Sequence, residues 1–187
     1  MKIDKNELLS ELLFQSTTHL AQTEELIECS EAQLLKPAAN GGWSIVECFE
    51  HLNTYFRYYL PLIDKAVEKL TFDNGNEYKS GWLGEYMIGL METTKKYKAA
   101  KKHIPAVEVS AHEVLDEFIG RQRHFINLVN RSKDKNLSTP RIPTSINQYL
   151  KLKLGDIFRF IVIHNERHIH QANRNLPIRK TELEAVV

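Results

Sequence analysis

Cysteine is almost missing from this chain: Cys29 and Cys48 are the only two in 187 residues. That excludes a disulfide framework and suits a reducing compartment, so a cytoplasmic protein is expected. Neither charge sign is in excess. The 25 basic and 24 acidic residues leave a formal net charge of +1, which gives no electrostatic case for nucleic acid or an anionic membrane as partner. No apolar run approaches the roughly 20 residues of a membrane helix. The opening MKIDKNELLSELLF has neither an uninterrupted apolar stretch nor a small-residue cleavage site, so no signal peptide is expected. Internal repeats, low-complexity tracts and convincing period-2 alternation are absent as well, which argues against solenoids and large sheets.

What remains is helical. With 42% hydrophobic residues, the chain can bury one proper core, and a single domain over 1–187 is expected. Asp4 followed by Glu7 resembles a capping box, and Leu8, Leu9, Leu12, Leu13, Leu20, Leu26 and Ile27 form the stripe of a first helix running to about Ser30. Pro37, Gly41 and Gly42 then break regular structure. Ser44 with Glu47 caps a second helix, from about Ile45 to Leu70, in which Pro61 should introduce a bend. Residues 71–106 form a long connection with one short helix in WLGEYMIGLME, placed over the mouth of the core and followed by a lysine-rich tail. Ser110 with Glu113 opens a helix to about Ser132. A loop marked by Pro140 and Pro143 leads to the last helix, near Leu154 to Leu176, with Pro177 as its stop. The fold class is all-α: a four-helix bundle with long crossover connections and one short extra helix between the second and third long ones.

Histidine is where chemistry concentrates. In HNERHIHQ, His164 and His168 are four apart, so both can present imidazoles on one helix face. Gln171, Ile157 and Ile161 share that face, which therefore points inward. A buried imidazole needs a partner, because an unbonded buried polar group costs a few kcal/mol; a metal is one solution, and a carbonyl or carboxylate is another. His51, in WSIVECFEHL on the second helix, completes a three-nitrogen set if those two helices are neighbours. Three neutral imidazoles with a fourth position open are the pattern of a catalytic zinc.

Two other metal sites are excluded locally. A zincin needs H-E-x-x-H, but Asn165 follows His164 and Glu166 lies about 200° away around the helix. A di-iron bundle needs Glu-x-x-His pairs, and none of the eight histidines has a glutamate three residues before it. His170 is expected at the surface, and His19, His103, His112 and His124 are expected in solvent. Cys48 is either a fourth ligand or, as is commoner, a small buried hydrophobe. Glu47 belongs to its capping box rather than to His51. Tyr55 and Tyr58 follow His51 by one and two turns; with Gln171 they are the candidate substrate-binding residues, although tyrosines at a bundle end have the same spacing.

WSIVECFEHL and the H-x-x-x-H-x-x-Q of His164, His168 and Gln171, in this order and separation, make the chain resemble the DinB-like (DinB/YfiT) superfamily over nearly its whole length. The resemblance implies a four-helix bundle that binds a divalent metal, often zinc or nickel, through His51, His164 and His168, and that is frequently a homodimer. Characterised relatives include thiol-dependent S-transferases and a thiol-dependent isomerase, and many members are described as metal-dependent hydrolases. The Gly81 to Gly89 stretch is longer than a minimal family connection. The leading expectation is thus a metal-dependent enzyme joining a low-molecular-weight thiol to a small electrophile, with metal-bound thiol as the reacting group. A hydrolase activating water at the same site is the alternative. A non-catalytic bundle with structural histidines is the third.

Overall fold

Each long helix but the last starts where a short polar side chain takes over its free backbone donors. In the computed structural model, which describes residues 2–92 and 99–176, α1 (Lys5–Leu26) is capped by the Asp4 carboxylate, which accepts from the amides of Asn6 and Glu7 at 2.9 Å. The Ser44–Glu47 and Ser110–Glu113 pairs close reciprocal capping boxes on α3 (Ile45–Val67) and α5 (Ala111–Arg131). A short helix α2 (Glu31–Leu35) precedes α3. The last long helix, α6 (Leu154–Asn173), has Lys153 at its N-cap and no side-chain cap. Pro61 lies inside α3 as expected, whereas Pro177 and the lysine-rich stretch after Glu92 as far as Lys98 fall outside the described residues.

α1 packs on α5, α5 on α3, α3 on α6 and α6 on α1, a closed ring of four helices. Successive helices of the chain are therefore not always neighbours: α1 to α3 and α5 to α6 are diagonal steps, made by the connections around α2 and through 132–153. The centre is filled by edge-on phenylalanines, Phe49 on Phe118 and Phe125 on Phe158, with ring centres 5.0 and 5.6 Å apart. α3 and α6 run in opposite directions, since Trp43 at the start of α3 meets Asn175 beyond the end of α6 while Tyr55 meets Phe160. No helix among the described residues is long and apolar enough to cross a membrane.

Four very short strands, one before α1 and three in the connections, are not revealed by hydrophobic periodicity. β1 (Lys2–Asp4) pairs antiparallel with β2 (Glu77–Lys79), Ile3 opposite Tyr78, and β3 (Arg141–Pro143) pairs with β4 (Lys151–Lys153), Ile142 opposite Leu152. Three residues are too few to display alternation, yet Tyr78, Ile142 and Leu152 each bury the middle side chain of a strand. The extra helix is α4 (Trp82–Glu92), packed along α6. Its entry is pinned by Asp156, a buried carboxylate in the first turn of α6 that accepts from the Tyr78 hydroxyl (2.8 Å), the Ser80 hydroxyl and the Gly81 amide (3.0 Å). Gly84 is required there, because a Cβ would sit 2.4 Å from the Asp156 carboxyl carbon. At the far end of α4 the Met91 carbonyl accepts from Arg167, so this helix reaches the level of His168.

Candidate metal centre

Ser44 sets the phase of α3, and two turns on that phase turns His51 toward α6. Because α3 and α6 are ring neighbours, the His51 ring meets those of His164 and His168: the ring centres are 5.1 Å (51–164), 4.5 Å (51–168) and 4.8 Å (164–168) apart. One nitrogen from each lies within 4.8 Å of the other two. Exposure is 3% for His51, 3% for His164 and 9% for His168, so the cluster is interior.

Proton accounting shows which nitrogens face inward. His51 Nδ1 lies 2.6 Å from the His103 carbonyl oxygen, which can only accept, so Nδ1 carries the hydrogen and Nε2 presents a lone pair. His168 Nδ1 likewise donates to Gln171 Oε1 at 3.1 Å, leaving Nε2. The His51 and His164 Nε2 atoms are 3.3 Å apart. Nitrogens bound tetrahedrally to zinc at about 2.0–2.1 Å are separated by about 3.3 Å, so the pair already has the edge length of such a site. Burial, then the proximity of the other rings, lowers the proton affinity of His164 well below the ordinary histidine value and that of His168 to about 3. His51 is also lowered by burial, against the opposing effect of its bond to the His103 carbonyl. All three are neutral near pH 7, the form a divalent cation requires. The residues fit a cation, and no carboxylate or thiol joins the group among the described residues.

Aromatic rings wall the cluster. Trp43, whose carbonyl is held by Asn175, lies 4.8 Å from His51 and 5.7 Å from His168. Tyr55 lies 4.3 Å from His164 and 5.1 Å from His51, and Phe160 stacks on His164 at 5.6 Å. Burial holds the Tyr55 phenol protonated far above its usual range. Tyr58 is farther along α3 and donates to the Thr144 carbonyl at 3.2 Å. Gln171, expected to face a substrate, has its amide oxygen turned to His168. Cys48 is fully buried with its thiol pushed up to about 12, stands outside the cluster, and is the small hydrophobe of the two alternatives.

Two expectations need correction. His19 and His103 are buried (0% and 2% exposed), not solvated. His19 Nε2 donates to the exposed Glu166 carboxylate at 2.6 Å. His103 belongs to a single 3₁₀ turn, Lys101–His103, that lies against the centre. Its carbonyl fixes the tautomer of His51, and its ring stacks on Tyr55 at 3.9 Å. Thr54 Oγ1 gives its one proton to the His51 carbonyl (2.7 Å), so it must accept from His103 Nδ1 at 2.8 Å. His103 Nε2 is thereby left as a buried lone pair without a partner among the described residues, and burial lowers its proton affinity to about 4. Sequence reasoning missed this residue because periodicity carries no phase in an irregular connection; the Ile104–Pro105 pair after it marks only a chain break. His112 and His124 bond Glu31 and Asp64 near the surface, and His170 is exposed.

The family model described as DinB superfamily matches residues 15–172, a span that holds all three clustered histidines. No curated protein and no solved structure matches the chain significantly.

Proposed function

The chain belongs to the DinB superfamily, and on that premise we propose that it is a divalent-metal-dependent S-transferase, joining a low-molecular-weight thiol to a small electrophile. The observation that carries the reading is the cluster itself: three neutral imidazoles, His51, His164 and His168, converging between aromatic rings, with no carboxylate in the group among the described residues. A zinc or nickel ion held by these uncharged ligands keeps its full positive charge and lowers the pKa of a bound thiol, supplying the nucleophilic thiolate near neutral pH.

The residues do the rest. The His103 carbonyl and Gln171 hold His51 and His168 in the tautomers that turn Nε2 inward. Trp43, Tyr55 and Phe160 exclude water and offer apolar faces to an electrophile. In the overall reaction the thiol loses its proton to solvent and sulfur forms a bond to the electrophilic carbon. The displaced group departs with the electron pair of the bond that breaks. No protein nucleophile is needed, which agrees with the inert, high-pKa Cys48 thiol.

Water activation on the same ligands is the competing reading: a hydrolase calls for a general base beside the water, and the buried His103 Nε2 lone pair lies near the cluster. The test uses tag-free protein loaded with zinc or nickel, monochlorobimane as electrophile, and a panel of cellular thiols. Metal-dependent conjugation with at least one thiol is expected, and it should vanish in His164→Ala. Loaded protein that is inert with every thiol, or that hydrolyses ester or amide panels without thiol, overturns the proposal.

A further inference from the structure

A concavity outside the metal centre is lined by residues next to it in the chain. A cleft of about 540 Å³ opens between Tyr58, Lys102 and the loop at 144–149. Its walls hold one cation and no acidic residue. The Lys102 ammonium stands 5.1 Å over the centre of the Tyr58 ring and forms no ion pair with a carboxylate among the described residues. The loop is built to stay in place: Thr144 N donates to the Leu150 carbonyl at 2.7 Å, Leu150 N to the Asn147 carbonyl at 3.0 Å, and Ser145 N to the Tyr59 hydroxyl at 2.9 Å. That rigid frame leaves Tyr149 83% and Ile146 63% exposed, large apolar side chains for which the fold has no use. A cation, carboxamides (Asn147 and Gln148) and apolar walls with no anion suit a ligand that has a carboxylate on an apolar or amide body.

Cleft and metal centre are lined by neighbouring residues of the same two elements. Tyr55 touches the histidines and Tyr58 lines the cleft on the same helix, while His103 and Lys102 are consecutive residues of one turn. Tyr58 is seven positions after His51, about 10 Å along the helix axis. An extended chain of three amino acids spans about the same length. We propose that this cleft binds the carboxylate end of the thiol co-substrate, with Lys102 as its counter-ion, so that the thiol is a carboxylated molecule of tripeptide size. Naming the ligand a thiol rests on the S-transferase reading; the carboxylate site does not.

The probe is S-methylglutathione, a thioether that has two carboxylates and cannot become a thiolate, titrated into the tag-free, zinc-loaded full chain. Amide resonances of residues 145–149 should shift, and Lys102→Ala should weaken binding by about tenfold, as expected for loss of one charge-assisted contact. Lys102→Arg should restore binding, metal content should not change, and the dimethyl ester of the probe should bind poorly to all three proteins. Unshifted loop amides, or equal affinity in Lys102→Ala, overturn the cleft assignment. Cobalt-loaded protein with glutathione itself separates the two claims. A sulfur-to-cobalt charge-transfer band without loop shifts sinks the cleft alone. Loop shifts without the band sink the transferase reading and leave a carboxylate site.

Discussion

α6 has a buried polar cluster on each of two opposite sides, and the two are built on different chemistry. Toward α1 and α5, donors meet acceptors in three bonds, with the His19 Nδ1 and Ser16 Oγ atoms left over among the described residues: His19 Nε2 donates to the exposed Glu166 carboxylate (2.6 Å), Gln122 to the Ser16 carbonyl (2.9 Å), and Asn165 to the Gln122 amide oxygen (3.1 Å). Toward α3, one turn of helix away, acceptors outnumber donors. His51 and His168 each have an unprotonated Nε2, and the one N–H of neutral His164 can serve at most one of them. The first arrangement contributes to folding as it stands. The second leaves a lone pair unmatched in a low-dielectric interior and becomes favourable when a cation sits between the rings. A buried cluster with acceptors in excess is a functional site in waiting; a balanced one is structure.

The sharpest way to break that contrast is to remove one member of the histidine cluster and the central carboxylate of another balanced polar site on α6. His164→Ala should lose its bound metal altogether and with it the metal-induced rise in Tm, while the metal-free fold persists; elemental analysis beside a thermal melt reads both. Metal retained at wild-type stoichiometry would end the comparison. A balanced polar site behaves in the opposite sense. Asp156→Ala, which orphans the Tyr78 hydroxyl, the Ser80 hydroxyl and the Gly81 amide, should cost about 3 kcal/mol in denaturant unfolding without changing metal content.

Acid sharpens the contrast next. His51, His164, His168, His103 and, on the other side of α6, His19 have folded-state proton affinities below the ordinary value of 6.5, His103 at about 4 and His168 at about 3. Below pH 6.5 the unfolded chain takes up protons that the folded chain refuses. Stability of the metal-free protein is therefore level above that pH and declines as pH falls toward the folded-state values. Each histidine contributes a slope of at most about 1.4 kcal/mol per pH unit. Urea unfolding between pH 7 and 5 should show the decline, and replacing all three ligands by apolar residues should flatten much of it. A slope the same in that variant would place the titration elsewhere. Because the ligands are neutral already, zinc binding at pH 7 should release almost no protons, measurable by calorimetry in buffers of different ionisation enthalpy.

Smaller effects follow. Gln171→Ala frees His168 to rotate and should weaken metal affinity by about 10- to 100-fold, read with a competing chelator. His170→Ala, on the exposed face two residues beyond His168, should alter neither metal affinity nor stability beyond about 0.5 kcal/mol.

Most of this was legible one element at a time. The serine–glutamate caps predicted the starts of α3 and α5, and the spacing of His164, His168 and Gln171 placed them on one buried face. Helix ends were overrun by a few residues, as at α1, where the apolar stripe continues through Ile27 after the helix stops at Leu26. The short strands escaped notice because three residues cannot show a period. His19 escaped for another reason: a lone histidine on an amphipathic helix looks the same whether or not a distant Glu166 awaits it.

The amino-acid order alone dictated the local matters: where helices start, which face of each is apolar, and that His164 and His168 point the same way, because 3.6-residue periodicity and capping are properties of a short stretch of chain. The adjacency of α3 and α6 is a different matter. It comes from packing four stripes around one core with two diagonal connections, so only the tertiary structure could bring His51 across to the pair, lay the His103 turn against it, and set Lys102 beside Tyr58. Those contacts join residues from 44 (Tyr58 to Lys102) to 117 (His51 to His168) positions apart, a separation over which no sequence period carries phase.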